Sequence, residues 1–140
     1  MKAKGLNGRE YTWNLNKYDV YNDDRKKRSK HHLKARRILK EEYGSYRILE
    51  EVKLPGSTKP NRRSVLYLDF FIPVIRLAVE VHGRQHYEYI PFFHKSKADY
   101  ILSLNRDDDK ASWCELNEIK LITLKYSDSE DDWRTAIKCL

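Results

Sequence analysis

The spacing of hydrophobic and polar positions changes several times along the chain, and each change marks an element. Residues 25–43 carry Leu33, Ala35, Ile38, Leu39 and Tyr43 as an approximate helical stripe. Arg36, Arg37 and Lys40 lie off that stripe, and Gly44 is placed to end the helix. A basic helix packing one face on a sheet is the expectation. Residues 46–54 read as a partly exposed strand, and the Pro, Gly, Ser and Asn of residues 55–64 as a loop of turns. From Val65 onward, two β-branched and aromatic-rich runs flank Pro73, which predicts a hairpin. Residues 88–94 make an aromatic loop with Phe92 and Phe93, which ordinary core cover explains best. Ser96 with Asp99 opens a second helix, expected to reach about Asn117 with a break near 107–109. A buried strand over 120–126 and a final helix from Ser129 to Leu140 complete the pattern. Residues 1–24 show no period and are expected to form an irregular arm, with a short strand or turn near 11–15, in front of a single domain over 25–140. Periodicity by itself says mixed α/β.

Two acids break the hairpin pattern. Asp69 interrupts the first run and Glu80 the second, among residues that should be buried, where an unpaired carboxylate is costly. If the runs pair around Pro73, both acids lie at the same end of the hairpin and call for a cation. Arg76 or Arg84 would answer as salt-bridge partners, and Mg²⁺, which takes one or two carboxylates plus water and phosphate, would answer as a ligand. His82, Gln85 and His86 follow within a few residues, so groups able to move a proton stand beside the acids.

Charge sharpens this picture. The 140 residues carry a formal net charge of +7 and a pI near 9.3. Residues 1–68 hold 18 basic against 8 acidic side chains, and residues 69–140 hold 10 against 13. Nine of the basic ones fall within residues 25–40: Arg25, Lys26, Lys27, Arg28, Lys30, Lys34, Arg36, Arg37 and Lys40. Such a run favours phosphate contact, and Lys59, Arg62 and Arg63 of the 55–64 loop are further candidates to touch a DNA backbone. Tyr11 and Trp13, beside basic residues, either stack on nucleic acid or cover the core. No Walker loop or dinucleotide glycine fingerprint appears, which argues against an ATPase or an oxidoreductase. Cys114 and Cys139 form no metal-like spacing and read as reduced thiols. With no apolar leader and no run of membrane-spanning length, a soluble cytoplasmic protein with no membrane partner is expected.

Asp69, then Glu80-Val81-His82, resembles the Asp…Glu-x-Lys core of the PD-(D/E)XK nuclease superfamily, with His82 where Lys usually stands. The longer string Leu77-Ala78-Val79-Glu80-Val81-His82-Gly83-Arg84-Gln85-His86, followed by Asn105-Arg106-Asp107 and the strand from Ile119, is similar to very-short-patch-repair and EDxHD homing endonucleases over roughly residues 29–126. That resemblance implies a restriction-endonuclease-like core, αβββαβ with a mixed central sheet flanked by helices. It also implies a metal-dependent DNA endonuclease using Mg²⁺, or Mn²⁺ in its place, on double-stranded DNA. Asp69, Glu80 and the Val81 carbonyl would bind metal, and His86, His82 and Gln85 would handle the water and the phosphate. Gly83 would let the chain leave the strand sharply, and Asn105 and Asp107 would support the site. Aromatic residues near Phe92 wedge into the duplex in the similar repair enzymes.

The family also asks for a Glu near the start of the first helix, and this chain departs from it there. His31 or His32 falls at that register, while Glu41 and Glu42 sit at the far end. A His substitutes, or one of those glutamates serves, or Asp69 and Glu80 act alone. A double-strand break by one such site would require a homodimer or two successive events. A non-catalytic DNA-binding protein that keeps the fold, a branched-DNA nuclease and an RNA nuclease are the competing readings.

Overall fold

The hairpin and the strand after the second helix build one sheet, seen in a computed structural model that describes residues 1–18 and 28–138. In chain order the described elements are β1 (Lys2–Lys4), β2 (Glu10–Thr12), α1 (Lys30–Tyr43), β3 (Leu49–Lys53), β4 (Tyr67–Ile72), β5 (Leu77–His82), α2 (Lys97–Leu116), β6 (Lys120–Lys125) and α3 (Glu130–Lys138). Strands β3, β4 and β5 form an antiparallel meander, and β6 joins β5 in parallel, giving the order β3-β4-β5-β6. A parallel neighbour requires a long crossover, and α2 supplies it. The fold is mixed α/β, a four-stranded mixed sheet flanked by helices.

Each face of the sheet buries its own core. On one, Phe70, Ile72, Leu77 and Val79 meet Ala35, Ile38 and Leu39 of α1 and Trp133 and Ile137 of α3. On the other, Leu49, Val52, Phe71 and Ala78 meet Trp113 and Cys114 of α2 together with Trp13 and Leu15. The expected irregular arm is therefore, over residues 1–18, an ordered cover: β1 pairs with β2 and delivers Trp13 to the core. Trp13 is 3% exposed, stacks on Phe71 at 4.8 Å, meets Trp113 edge-on at 5.0 Å and donates its indole N–H to Lys53 O. Asn117, which ends α2, clamps both Lys4 N–H and Lys4 C=O at 2.7 and 2.9 Å. Gly56, at φ +70°, passes so close to Gly5 that a Cβ on it would lie 2.5 Å from that Cα.

Helix α1 begins later than its basic run. Ser29 Oγ accepts the His32 N–H, so Ser29 is the N-cap and Lys30 the first helical residue. Arg25, Lys26 and Lys27 lie outside the described residues. The inner stripe also differs from expectation: Leu33 faces out, 46% exposed, and Arg36 is buried in its stead. Helix α2 starts at the Ser96 cap as expected, with Ser96 Oγ accepting the Asp99 N–H, and runs through 107–109 without the expected break. Its first half stands clear of the core, with Ile101 and Leu102 exposed. The neighbouring Phe92 is 88% exposed, so Phe92 and Phe93 are not core cover. Ser129 caps α3 through the Asp132 N–H.

Candidate metal and proton-transfer site

The hairpin register sets the site. Phe70 pairs with Val79, so Asp69 and Glu80 stand directly across from each other at the next step. Glu80 Oε2 accepts the Asp69 N–H at 3.2 Å, and Asp69 Oδ2 accepts the Val81 N–H at 2.8 Å. Each carboxylate thus spends one oxygen on the opposite backbone. Arg76 donates to the carbonyls of Asn117 and Glu118, and Arg84 pairs with Glu88, so neither arginine neutralises the acids.

The cation beside them comes from α2, which the sequence did not suggest. Lys110 Nζ stands 2.5 Å from Glu80 Oε1. This is an ion pair rather than a well-aligned hydrogen bond, and Lys110 is the one cation that meets buried Oε1 among the described residues. Burial, then the hydrogen bond and charge of Asp69, push the Glu80 carboxyl well above its usual range. Burial also pushes Asp69 up, but its bonds to Glu80 and to the Val81 N–H outweigh burial and hold it low. Burial lowers Lys110, and the charges of Glu80 and Asp69 more than restore it. The two carboxyls are thus driven apart, Asp69 downward and Glu80 upward, as for neighbouring acids that oppose each other's ionisation.

Beyond the end of β5, Arg84–His86 forms a 3₁₀ turn that folds His86 back over His82, with ring centroids 4.0 Å apart and planes at 8°. Gly83, at φ −75° and ψ 178°, is ordinary extended backbone, so conformational freedom is not its role. Instead the Gln85 side chain folds over it, its Oε1 2.5 Å from where a Cβ would lie, so a side chain here would push the Gln85 amide aside. His86 Nδ1 lies 2.8 Å from Asp107 Oδ2, and His82 Nε2 lies 3.9 Å from Asp107 Oδ1. Burial, with His86 beside it, pushes the His82 imidazole down to about 4. A cleft of about 510 Å³ opens against Gln85, His86, Phe93, Lys95 and Arg106.

At the helix-start position, His32 Nε2 lies 2.6 Å from Glu50 Oε1 and its ring stacks on Phe70 at 4.5 Å. Glu41 and Glu42 are committed elsewhere, to Arg134 and Lys138 of α3. His32, close enough for its charge to lower Asp69, is thus the α1 residue nearest the acids among these candidates. Glu50, on β3, was missed: nothing in a run such as Leu49-Glu50-Glu51-Val52 says which glutamate turns inward.

The basic candidates divide. Arg36 is bidentate on Glu50 at 2.9 Å for both bonds, and Arg28 pairs with Glu51. Arg37 pairs with Glu130 and Glu41, and Lys34 lies over the Trp133 ring. Arg62 is held by Ser57 O, Ser64 O and Asp109, the last also bound by Lys59. Arg36 and Arg62 are thus internal fasteners, whereas Lys30 and Arg63 face solvent. Asn105 and Arg106 are also exposed, lining a second cleft of about 280 Å³ with Lys59 and Arg62. Among the described residues no helix is long and apolar enough to cross a membrane.

Known proteins resemble this chain in part. It is 36% identical over 76 residues to the uncharacterized protein 307L of invertebrate iridescent virus 6, covering 54% of this chain and 39% of the relative. It is 35% identical over 88 residues to the uncharacterized protein 094L of frog virus 3, covering 59% and 57%. Protein 033L of invertebrate iridescent virus 3, also uncharacterized, is 39% identical over 62 residues, covering 44% and 32%. The chain therefore spans between about a third and just over half the length of these relatives. No protein-family profile and no solved structure matches it.

Proposed function

We propose that the chain is a metal-dependent DNA endonuclease with a restriction-endonuclease-like core of the PD-(D/E)XK type, similar to repair and homing enzymes. The observation that carries this reading is the Asp69–Glu80 pair, held across β4 and β5 with a buried Glu80 oxygen that no hydrogen bond satisfies. Hard oxygen donors of this kind suit Mg²⁺ or Mn²⁺, which Asp69 and Glu80 with the Val81 carbonyl would hold. The ion supplies Lewis-acid stabilisation of charge on the scissile phosphate.

The chain's own groups do the rest. His86, donating its Nδ1 proton to Asp107, keeps Nε2 as an acceptor for the proton of an attacking water. His82, held neutral by burial, packs the His86 ring in place. Lys110, beside Glu80, would offer a cation to a phosphate oxygen at the site. Exposed Lys30, Arg63 and Arg106 would grip the DNA backbone of a double-stranded substrate.

One contact favours a second reading, a non-catalytic DNA-binding protein: Lys110 seated on Glu80 places a permanent cation where a metal would go. The purified protein, incubated with plasmid, mismatched, branched and RNA substrates in Mg²⁺ or Mn²⁺, decides between them. Cutting that disappears in EDTA and in Asp69→Ala supports the nuclease. Tight DNA binding without cutting of any substrate supports the binding protein.

A further inference from the structure

We propose that His82, His86 and Asp107 form a second cation site, distinct from the Asp69–Glu80 oxygen pair and selective for a borderline transition metal of the zinc class. One ligand atom from each lies within 4.8 Å of the other two. Their side chains are 13, 22 and 20% exposed, partly enclosed and open enough to admit an ion. The 510 Å³ cleft against His86 supplies the entry path.

The donor chemistry separates this site from its neighbour. Two imidazoles and one carboxylate are the ligands of Zn²⁺, Co²⁺ or Ni²⁺, whereas Mg²⁺ takes oxygen and keeps its water. Asp107 already reaches toward both rings, one oxygen to each. Drawing three ligand atoms to the roughly 2.0–2.1 Å of a zinc bond asks for side-chain movements of about 1 Å. His86 can supply this by pivoting on its turn beyond β5, since the parallel stacked rings do not yet converge. Three protein ligands leave a fourth position to water or to Gln85, the pattern of an open zinc site.

The assignment stands whether or not the chain cuts DNA. Its consequence rests on the proposed nuclease: a metal held between His86 Nδ1 and Asp107 would replace the contact that orients His86 as a proton acceptor, so zinc should inhibit at a concentration where Mg²⁺ activates.

Titration of the full chain with Co²⁺, followed by visible absorption and calorimetry, tests the site apart from activity. One equivalent should bind with the intense bands of a four- or five-coordinate nitrogen site. Affinity should fall tenfold or more in His86→Gln and in Asp107→Asn, and be unchanged in Asp69→Asn. Circular dichroism of the variants verifies their fold, and Zn²⁺ should raise the melting temperature of the parent chain but not of His86→Gln. Absence of binding up to millimolar Co²⁺, or binding lost in Asp69→Asn and retained in folded His86→Gln, overturns the proposal.

Discussion

Glu50 and Glu80 are two glutamates on one sheet with enclosed side chains, 6% and 2% exposed, and they have opposite fates. Glu50 takes both hydrogen bonds of a bidentate Arg36 and a third contact from His32. Burial raises its pKa, but those donors outweigh burial and bring it below the usual value. Glu80 meets a second acid across the hairpin and a single lysine off the hydrogen-bond angle, and its pKa goes up. Burial alone does not decide what a carboxylate is for. A satisfied one fastens the fold, and an unsatisfied one stores free energy that a cation can recover.

Substitutions should separate the two. The largest effect is expected from Asp69→Asn, which should cut any phosphodiester cleavage by about three orders of magnitude. The same change should raise the melting temperature by a few degrees, because it relieves like-charge repulsion. Cleavage assays beside calorimetric melting check both, and loss of stability along with activity would erase the contrast. Arg36→Ala should do the reverse, costing about 3–5 kcal/mol in urea unfolding by leaving Glu50 buried without its main partner. It should leave divalent-ion binding intact in the protein that remains folded.

The pH dependence of unfolding has opposite signs at the two sites. The folded Glu50 pKa lies below its ordinary 4.5, so its contribution is full above that value and is lost as pH falls through it. The folded Glu80 pKa lies well above 4.5, so its contribution is full below that value and is lost as pH rises through the folded one. In urea midpoints measured against pH, Glu50→Gln should flatten the acid limb and Glu80→Gln the limb above pH 4.5. A smaller effect belongs to His82, whose pKa falls from 6.5 to about 4 in the fold. Its contribution is full above pH 6.5 and is lost as pH falls toward 4, so His82→Asn should reduce the slope in that window.

How much of this the chain announced depends on the range of the interaction. The β4–β5 hairpin, its two acids and the capped starts of α2 and α3 are local patterns, visible as alternation around Pro73 and as Ser96 and Ser129 three residues before an acid. Three-residue strands such as β1 carry no period, so the ordered arm was not legible, whereas core cover by Trp13 was one of two readings that the sequence left open. Lys110 and Glu50 reach their partners across 30 and 18–14 residues of chain respectively, contacts set by helix rotation and strand pairing rather than by spacing. Basic residues misled for the same reason. Arg36 and Arg62 look like phosphate contacts in a run of cations, and only the fold reveals that Glu50 and Asp109 already claim them.

A hard divalent cation at the Asp69–Glu80 pair would have to share or displace the contact that Lys110 makes with Glu80. Titration of the protein with Mn²⁺, read by electron paramagnetic resonance with a short DNA duplex present, tests for that ion most directly. One bound Mn²⁺ per chain should disappear in Asp69→Asn and persist in Arg36→Ala. Mn²⁺ binding unchanged in Asp69→Asn, or no binding by the parent chain, would contradict a metal site at this pair.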